Sequence, residues 1–386
     1  MIVSPKMVAE AEIICQQSIP MLDVKYHICV AQEHNVEVVV SPKSPSPSVP
    51  IFGQAVNHSD FIKHSISETP ASSFVPNARS GSYAEIGPRV SMDDEHICID
   101  DLGAHLGFVF KYPIRSAFYA VFDGHGGPDA AAFVKRNAMK LFFEDADMLQ
   151  TYDTDSFFLE KLEDSHRRAF LRADIALADE QTVSSSCGTT ALTALVLGRH
   201  LLVANAGDCR AVLCRRGVAV EMSNDHRPSF LPERLRVEGV GGFIDDGYLN
   251  GYLSVTRALG DWDLKFPLGA ASPLIAEPDV RLATLTEEDE FLIIGCDGIW
   301  DVMSSQVAVS LVRRGLRRHN DPQQCAMELV KEALRLHTSD NLTVIVVCLS
   351  PIESIVESCP PQRRRFKACN LSEEARNRLK SLIEQN

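Results

Sequence analysis

Long hydrophobic runs are missing from this 386-residue chain. No stretch of about 18 apolar residues occurs, which argues against a membrane-spanning helix. The first residues, MIVSPKMVAEAEII, show neither the apolar core of a secretory signal nor an Arg- and Ser-rich transit pattern. We therefore expect a soluble protein with no membrane partner, located in the cytoplasm, the nucleus or both.

Basic residues are also scarce. The chain has 38 Lys and Arg against 52 Asp and Glu, a formal net charge of -14. This balance lacks the positive footprint of a duplex-binding protein, so we expect no nucleic-acid partner. No GxxxxGK[ST] loop is present, which disfavours nucleotide-driven chemistry.

The 11 cysteines are scattered without the paired spacing of a zinc finger. Such usage is typical of free or buried thiols in a reducing compartment, and we expect no disulfides. Cys359 and Arg365 match the bare Cys-x5-Arg spacing of thiol phosphatases. The intervening prolines, however, remove amide donors that a phosphate-binding loop would need, so we reject that reading.

Composition divides the chain into three parts. Residues 1–78 are rich in Ser, Pro and His, including SPKSPSPSVP at 41–50, and predict a flexible extension. Residues 79–350 predict one catalytic domain. The tail, 351–386, carries RRRFK at 363–367, which could serve as a nuclear signal or only as a solvated face, and ends in a pattern that predicts a short helix.

Within the central domain, short apolar runs alternate with amphipathic segments. The runs predict strands at 116–122, 191–197, 200–206, 210–214, 290–295 and 342–349. Helical periodicity predicts helices at 128–144, 156–179, 306–317 and 322–336. Because strands and helices come in separate groups, an α+β layered fold is favoured over an alternating parallel one.

Three aspartates stand at the mouths of predicted core strands. Asp123 opens DGHGG after the first strand, Asp297 opens DGIWD after EFLIIGC, and Asp340 precedes the last strand. Each alone is most simply a turn residue. Together they suit one hard-cation site, since Mg²⁺ and Mn²⁺ prefer carboxylate, carbonyl and water oxygens.

Further polar residues flank these motifs. His125 in DGHGG offers a proton donor beside an acid. Arg89, shortly before Met92-Asp93-Asp94, could grip a phosphate next to acids that orient water, although a solvated acidic loop would look the same. Asp208, in GDCR, would pass for a hairpin turn.

The ordered set of motifs resembles the metal-dependent type 2C Ser/Thr protein phosphatases across about 79–350. The motifs are Arg89 with Met92-Asp93-Asp94, DGHGG, GTTA at 188–191, GDCR, TRALGD at 256–261, DGIWD and Asp340-Asn341. The wording of SGSYAEIGPR and TRALGDWDLK is similar to the plant branch. The resemblance implies a four-layer αββα sandwich, with two central mainly antiparallel β-sheets flanked by helices.

The resemblance also implies site roles and cofactors. Two Mg²⁺ or Mn²⁺ ions would activate a bridging water for in-line hydrolysis of phosphoserine or phosphothreonine. Asp123 would bridge both ions, and the Gly124 carbonyl, Asp297 and Asp340 would complete their sites. Asp93 would act through water, and Asp208 would help a weaker third ion. The catalytic residues would be Asp123, which bridges the ions, Arg89, which would hold the phosphate, and His125, which would protonate the leaving oxygen.

Asp93 departs from the family pattern, which usually has Glu there, and the shorter side chain predicts at most a weaker grip on metal. Two other functions stay open from sequence alone. One is a catalytically weak protein that docks on phosphoproteins or kinases, and the other is a different two-metal phosphoesterase. Intact Asp123, Gly124, Asp297 and Asp340 disfavour the first, and a single motif histidine disfavours the second. We expect a monomer whose partners are phosphoprotein substrates and kinases.

Overall fold

The computed structural model describes residues 74–107, 115–143, 156–265 and 271–350. Residues 1–73 of the predicted N-terminal extension lie outside these ranges. The predicted C-terminal helix and the Cys359 to Arg365 segment also lie outside them.

Two five-stranded antiparallel sheets form the centre of the described domain. The strands of the first sheet are β1 (Arg79–Glu85), β8 (Arg210–Arg215), β9 (Val218–Glu221), β14 (Asp289–Gly295) and β15 (Leu342–Cys348). Those of the second are β2 (Glu95–Ile99), β3 (Ser116–Phe122), β6 (Ala191–Leu197), β7 (His200–Ala206) and β13 (Asp279–Thr284). The order in the first sheet is β1-β15-β14-β8-β9, and the order in the second is β13-β7-β6-β3-β2.

Helices cover the outer face of each sheet. The described helices are α1 (Leu102–Leu106), α2 (Asp129–Phe143), α3 (Ser156–Asp179), α4 (Leu231–Gly239), α5 (Asp297–Trp300), α6 (Ser305–His319) and α7 (Pro322–Arg335). Helices α2 and α3 pack on the second sheet, while α6 and α7 pack on the first. The four layers confirm the predicted αββα sandwich.

Alternation along β3 shows how the layers are joined. Phe118 and Phe122 face α2 and α3, whereas Tyr119 and Val121 face the opposite sheet, where they meet residues such as Ile345. Both faces of this strand are therefore buried. That double burial explains why β3 reads as a continuous apolar run instead of an alternating one.

Two smaller sheets lie outside the sandwich. One has the order β12-β5-β4 and consists of the two-residue strands β12 (Leu259–Gly260), β5 (Gly188–Thr189) and β4 (Gly124–His125). The other pairs β10 (Ile244–Asp245) with β11 (Tyr248–Leu249). The first of them brings three motifs together, with GTTA between DGHGG and TRALGD.

The hairpin reading of GDCR is wrong. Strands β7 and β8 belong to different sheets, so Gly207 and Asp208 lie where the chain crosses between them. Gly207 has φ +125, and a side chain there would also collide with Thr190. The crossover leaves Asp208 between the ends of both sheets.

Among the described residues, no helix is long and apolar enough to cross a membrane.

Candidate active site

All eight predicted site residues line one cleft of about 280 Å³ at an end of the sandwich. They are Arg89, Asp93, Asp123, Gly124, His125, Asp208, Asp297 and Asp340. Residues separated by as much as 251 positions thus meet in one place.

Asp123 ends β3, and its backbone is held by the GTTA motif. Its carbonyl accepts hydrogen bonds from Thr190 N (2.9 Å) and Thr189 Oγ1 (3.2 Å). Its amide donates to Thr190 Oγ1 at 3.3 Å. Because both backbone groups are bonded, the direction in which the Asp123 carboxylate leaves the strand is fixed.

Two glycines permit close backbone approach beside the acids. A Cβ at Gly124 would lie 2.3 Å from the Asp93 carbonyl oxygen, and one at Gly298 would lie 2.0 Å from that of Asn341. Real side chains do not tolerate such distances. Glycine is therefore required where the loop of Asp93 meets DGHGG, and where DGIWD meets β15.

Asn341 ties the Arg89 loop to the strand end that bears Asp340. Its Nδ2 donates to the carbonyls of Ile86 (2.8 Å) and Ser91 (2.9 Å), and its Oδ1 accepts from the amide of Asp93 (2.8 Å). The side chain itself is buried. These three bonds hold the loop over the cleft.

The acids in the cleft are close and mostly buried. Carboxylate oxygens of Asp123, Asp208 and Asp297 all lie within 4.8 Å of one another. Burial, and then the neighbouring carboxylates, raise the pKa of Asp123 and of Asp208 well above the usual range. Burial also raises the pKa of Asp297 to about 6, with Asp340 and Asp301 adding to the effect.

Asp94 is a further acid of the cluster. It is 5% exposed, and neither carboxylate oxygen has a hydrogen-bond partner among the described residues. Burial raises its pKa to about 6. Burial of this carboxylate is costly, and the nearby Thr343 hydroxyl and Cys296 thiol offset only part of that cost, so this side of the site favours a proton or a cation.

Arg227 provides positive charge within the cluster. Its guanidinium lies 3.1 Å from Asp208, 3.4 Å from Asp297 and 2.7 Å from Asp301. One cation cannot neutralise this many carboxylates. The residual negative charge points to further cations in the cleft.

Arg89 and His125 stand at the more open side. Arg89 is about half exposed and donates to Asp340 Oδ2 at 2.7 Å and to the Ser339 carbonyl at 3.1 Å. The His125 ring is 27% exposed. Both side chains are thus accessible to a substrate that enters the cleft.

The donor set fits hard divalent cations. It consists of carboxylates from separate strand ends and a glycine backbone, which suits Mg²⁺ or Mn²⁺ better than soft metals. The raised pKa values and the Asp94 oxygens without a hydrogen bond indicate that the buried carboxylates need bound protons or cations to balance their negative charge. An acidic cleft with an accessible arginine and histidine is typical of a metal-dependent phosphoester hydrolase.

The profile of the protein phosphatase 2C family matches residues 79–342, and the chain belongs to this family of metal-dependent serine/threonine protein phosphatases. A probable protein phosphatase 2C 13 of Arabidopsis thaliana is 57% identical, with 99% of each chain covered. A probable protein phosphatase 2C 47 of Oryza sativa subsp. japonica is 56% identical, with 98% of this chain and 99% of the relative covered. These relatives confirm the plant-type assignment.

Solved structures agree on the fold. A serine-threonine phosphatase 2C from Toxoplasma gondii superposes with a TM-score of 0.58 at 22% identity, covering 72% of this chain and 98% of that one. A sex-determining protein of C. elegans gives a TM-score of 0.61 at 22% identity, covering 74% and 67%. At this identity the likeness concerns the sandwich alone.

Sequence reasoning gave no role to Asn341, Arg227 or Asp261. Asn341 and Asp261 were visible inside motifs, but a motif does not tell which distant atoms its side chains bond. Arg227 follows His226 in a loop with no marked pattern. Only the fold shows that its charge enters the acid cluster.

Proposed function

We propose that Asp123, Gly124, Asp297 and Asp340 hold two Mg²⁺ or Mn²⁺ ions for the hydrolysis of phosphoserine and phosphothreonine in proteins. Asp93 supports these ions through water, and Asp208 contributes to a weaker third site. The observation that carries the proposal is the single cleft in which these acids meet Arg89 and His125. When bound, the cations would lower the pKa of a shared water and neutralise phosphoryl charge.

Arg89 is the phosphate-holding residue in this proposal. Its present partners are the carboxylate of Asp340 and the carbonyl of Ser339, and about half of the side chain is exposed. A phosphate dianion can accept two hydrogen bonds from a planar guanidinium. It therefore competes well for Arg89 with a single carboxylate oxygen. Arg89 can therefore turn from Asp340 to the substrate without crossing the core.

His125 is the proton donor. A serine or threonine alkoxide is a poor leaving group, so a proton must reach the leaving oxygen as its bond to phosphorus breaks. The imidazole lines the cleft and is partly exposed, which lets it contact that oxygen.

The experiment is dephosphorylation of a phosphothreonine peptide by the full chain with Mg²⁺, with Mn²⁺ and with chelator. Asp123→Asn and Asp297→Asn should abolish the metal-dependent turnover. Calorimetric titration of each metal should show weakened binding in the same variants. Asp164→Asn is the matched control, because Asp164 is exposed on α3 far from the motifs in sequence.

Phosphopeptide turnover that is unchanged by chelator would refute the metal mechanism. If the wild-type protein binds phosphopeptide but never hydrolyses it, the docking-protein hypothesis is favoured instead. The two metals are compared at equal free concentration, since this comparison decides which ion the site prefers.

We also propose that the protein acts as a monomer. The support is that one chain supplies every residue of the cleft, so no second copy is needed to complete it. Light scattering of the purified full chain at the assay concentration should give the mass of one chain, 42.6 kDa. A stable dimer mass would contradict this.

Location and partners are proposed from composition and chemistry. We propose a cytoplasmic or nuclear protein, with phosphorylated kinases among its substrates. Fluorescence of a tagged full chain, with and without RRRFK at 363–367 replaced by alanines, tests the location. Incubation with autophosphorylated kinases, read by phosphate release, tests the partner class.

A further inference from the structure

Asp261, at the end of TRALGD, bonds directly to the His125 ring. The distance from His125 Nε2 to Asp261 Oδ2 is 2.7 Å. An ionised carboxylate only accepts hydrogen bonds, so Nε2 carries the hydrogen in this pair. The Asp261 carboxylate is 3% exposed and does not line the cleft, whereas the imidazole does.

The small sheet β12-β5-β4 brings the two residues together. His125 in β4 and Gly260 in β12 both pair with Gly188 of the central strand β5. Asp261 follows Gly260 and reaches across this strand. A Cβ at Gly188 would lie 2.0 Å from Asp261 Oδ2, so only glycine leaves room for the carboxylate.

The backbone of Asp261 is held in an unusual conformation. Its φ is +53, a left-handed value that few residues other than glycine adopt. Its amide donates to the Cys187 carbonyl at 3.0 Å. A conformation of this kind persists only where the surrounding structure fixes it, and it often marks a functional site.

A buried ion pair provides that fixation. Asp174 of α3 accepts hydrogen bonds from the Gly260 amide (2.7 Å) and from Lys265 Nζ (2.6 Å). Its carbonyl accepts from Trp262 Nε1 at 3.0 Å. The segment on both sides of Asp261 is thus anchored to one helix, and the carboxylate has little freedom to move.

We propose that Asp261 is a positioning residue for His125. By accepting the Nε2 hydrogen it fixes the plane of the ring and leaves Nδ1 as the nitrogen that serves the leaving oxygen. In this step the ring starts with a proton on each nitrogen. The Nδ1 proton ends on the serine or threonine oxygen as the P–O bond breaks, and the neutral ring keeps its Nε2 hydrogen, which it still donates to Asp261. This inference rests on the proton-donor role given to His125 above.

The test compares two leaving groups in the metal-loaded full chain. A threonine alkoxide needs the proton, whereas p-nitrophenolate leaves readily without one. Asp261→Asn should lower kcat for a phosphothreonine peptide about 100-fold, within the usual range for general acid catalysis. For p-nitrophenyl phosphate, kcat should stay within about threefold. Asparagine is chosen because it tolerates left-handed φ values.

Asp263→Asn is the matched control. Asp263 lies on the same segment, but its side chain is exposed. It should keep both activities. His125→Gln should reproduce the selective loss, and adding Asp261→Asn to it should cause no further loss, because a residue that acts through His125 has nothing left to position.

Equal loss on both substrates in Asp261→Asn, or additive losses in the double variant, would assign a merely structural role and overturn the proposal. So would full peptide activity in Asp261→Asn. If His125→Gln itself shows no selective loss, the proton-donor role falls and the positioning role falls with it. A selective loss in His125→Gln alone overturns only the role of Asp261.

Discussion

Removal of the divalent cations should make the stability of this phosphatase fall as the pH rises from 4 to 7, and Asp94 should be one of the buried acids that cause the fall. Asp94 is buried without a hydrogen-bond partner among the described residues. Its pKa is raised from 3.8 to about 6 by burial. Between these values the folded protein holds a proton that the unfolded chain has released, so the free energy of unfolding decreases with pH.

The size of this loss in unfolding free energy follows from the pKa of Asp94. One pKa unit corresponds to about 1.4 kcal/mol, so the ionised carboxylate costs the folded, metal-free protein on the order of 3 kcal/mol at pH 7. Asp94→Asn removes the charge and keeps the shape. The chelated variant should therefore be more stable than wild type by about 3 kcal/mol at pH 7.5 and nearly equal to it at pH 4.

Urea unfolding in chelator, followed by circular dichroism at several pH values, measures this difference. Saturating Mg²⁺ should narrow it, because cations bind the native state and offset the repulsion among the carboxylates. Asp164→Asn, on the exposed face of α3, should show no pH-dependent gain. The reasoning is refuted if the gain from Asp94→Asn is the same at pH 4 and 7.5, or if that variant is less stable at pH 7.5.

Four other substitutions give distinct expectations. Asn341→Asp cannot donate the two bonds that hold the Arg89 loop, so kcat/KM for a phosphopeptide should fall about 100-fold with the circular dichroism unchanged. Arg227→Gln should lower the free energy of unfolding, measured with urea in the presence of chelator, by about 1 kcal/mol. The same substitution should lower the metal concentration for half-maximal activity about fivefold, because it removes a positive charge that competes with the metal for the acids. Asp93→Glu should lower the Mg²⁺ concentration needed for activity, measured by metal titration. Leu329→Ala, on the buried face of α7, should cost about 2–5 kcal/mol of unfolding free energy without changing kcat.

A different result would contradict the expectation for each of these four substitutions. Normal kcat/KM in Asn341→Asp would mean that the loop is held by other contacts. A higher metal requirement in Arg227→Gln would make this arginine an organiser of the acids instead of their competitor. An unchanged or raised metal requirement in Asp93→Glu would remove the significance given to the shorter acid. A large fall in kcat for Leu329→Ala would couple the helix layer to the cleft.

The sequence predicted the inner strands and missed the outer ones, for a physical reason. The six predicted strands are β3, β6, β7, β8, β14 and β15, which occupy the central positions of the two sheets. They are buried on both faces and read as apolar runs. The four strands of these two sheets that were not predicted, β1, β2, β9 and β13, are the sheet edges, whose burial is mixed. Partly buried strands show no regular hydrophobic periodicity by which they could be predicted from the sequence.

The acids of the site were predictable because strand ends are visible in sequence. Asp123, Asp297 and Asp340 each adjoin an apolar run, and antiparallel central strands bring such ends to one edge of the sandwich. The partners of those acids were not predictable in the same way. Arg227 bonds to Asp297 and Asp301 across 70 and 74 positions from a loop without periodicity. Long-range pairing of this kind depends on the fold and leaves no local signal.

The contacts made by the small sheet β12-β5-β4 were the hardest to predict from the sequence. Its strands are two residues long, too short for any hydrophobic period, yet they set His125 beside Asp261 across 136 positions. A sequence feature that reflects this arrangement is Gly188, since a Cβ there would occupy the place of the Asp261 carboxylate. Gly188→Ala should therefore impair phosphopeptide turnover even though Gly188 does not line the cleft. If Gly188→Ala kept full activity, the carboxylate could move away without consequence, and the contact between Asp261 and His125 would have no part in the reaction.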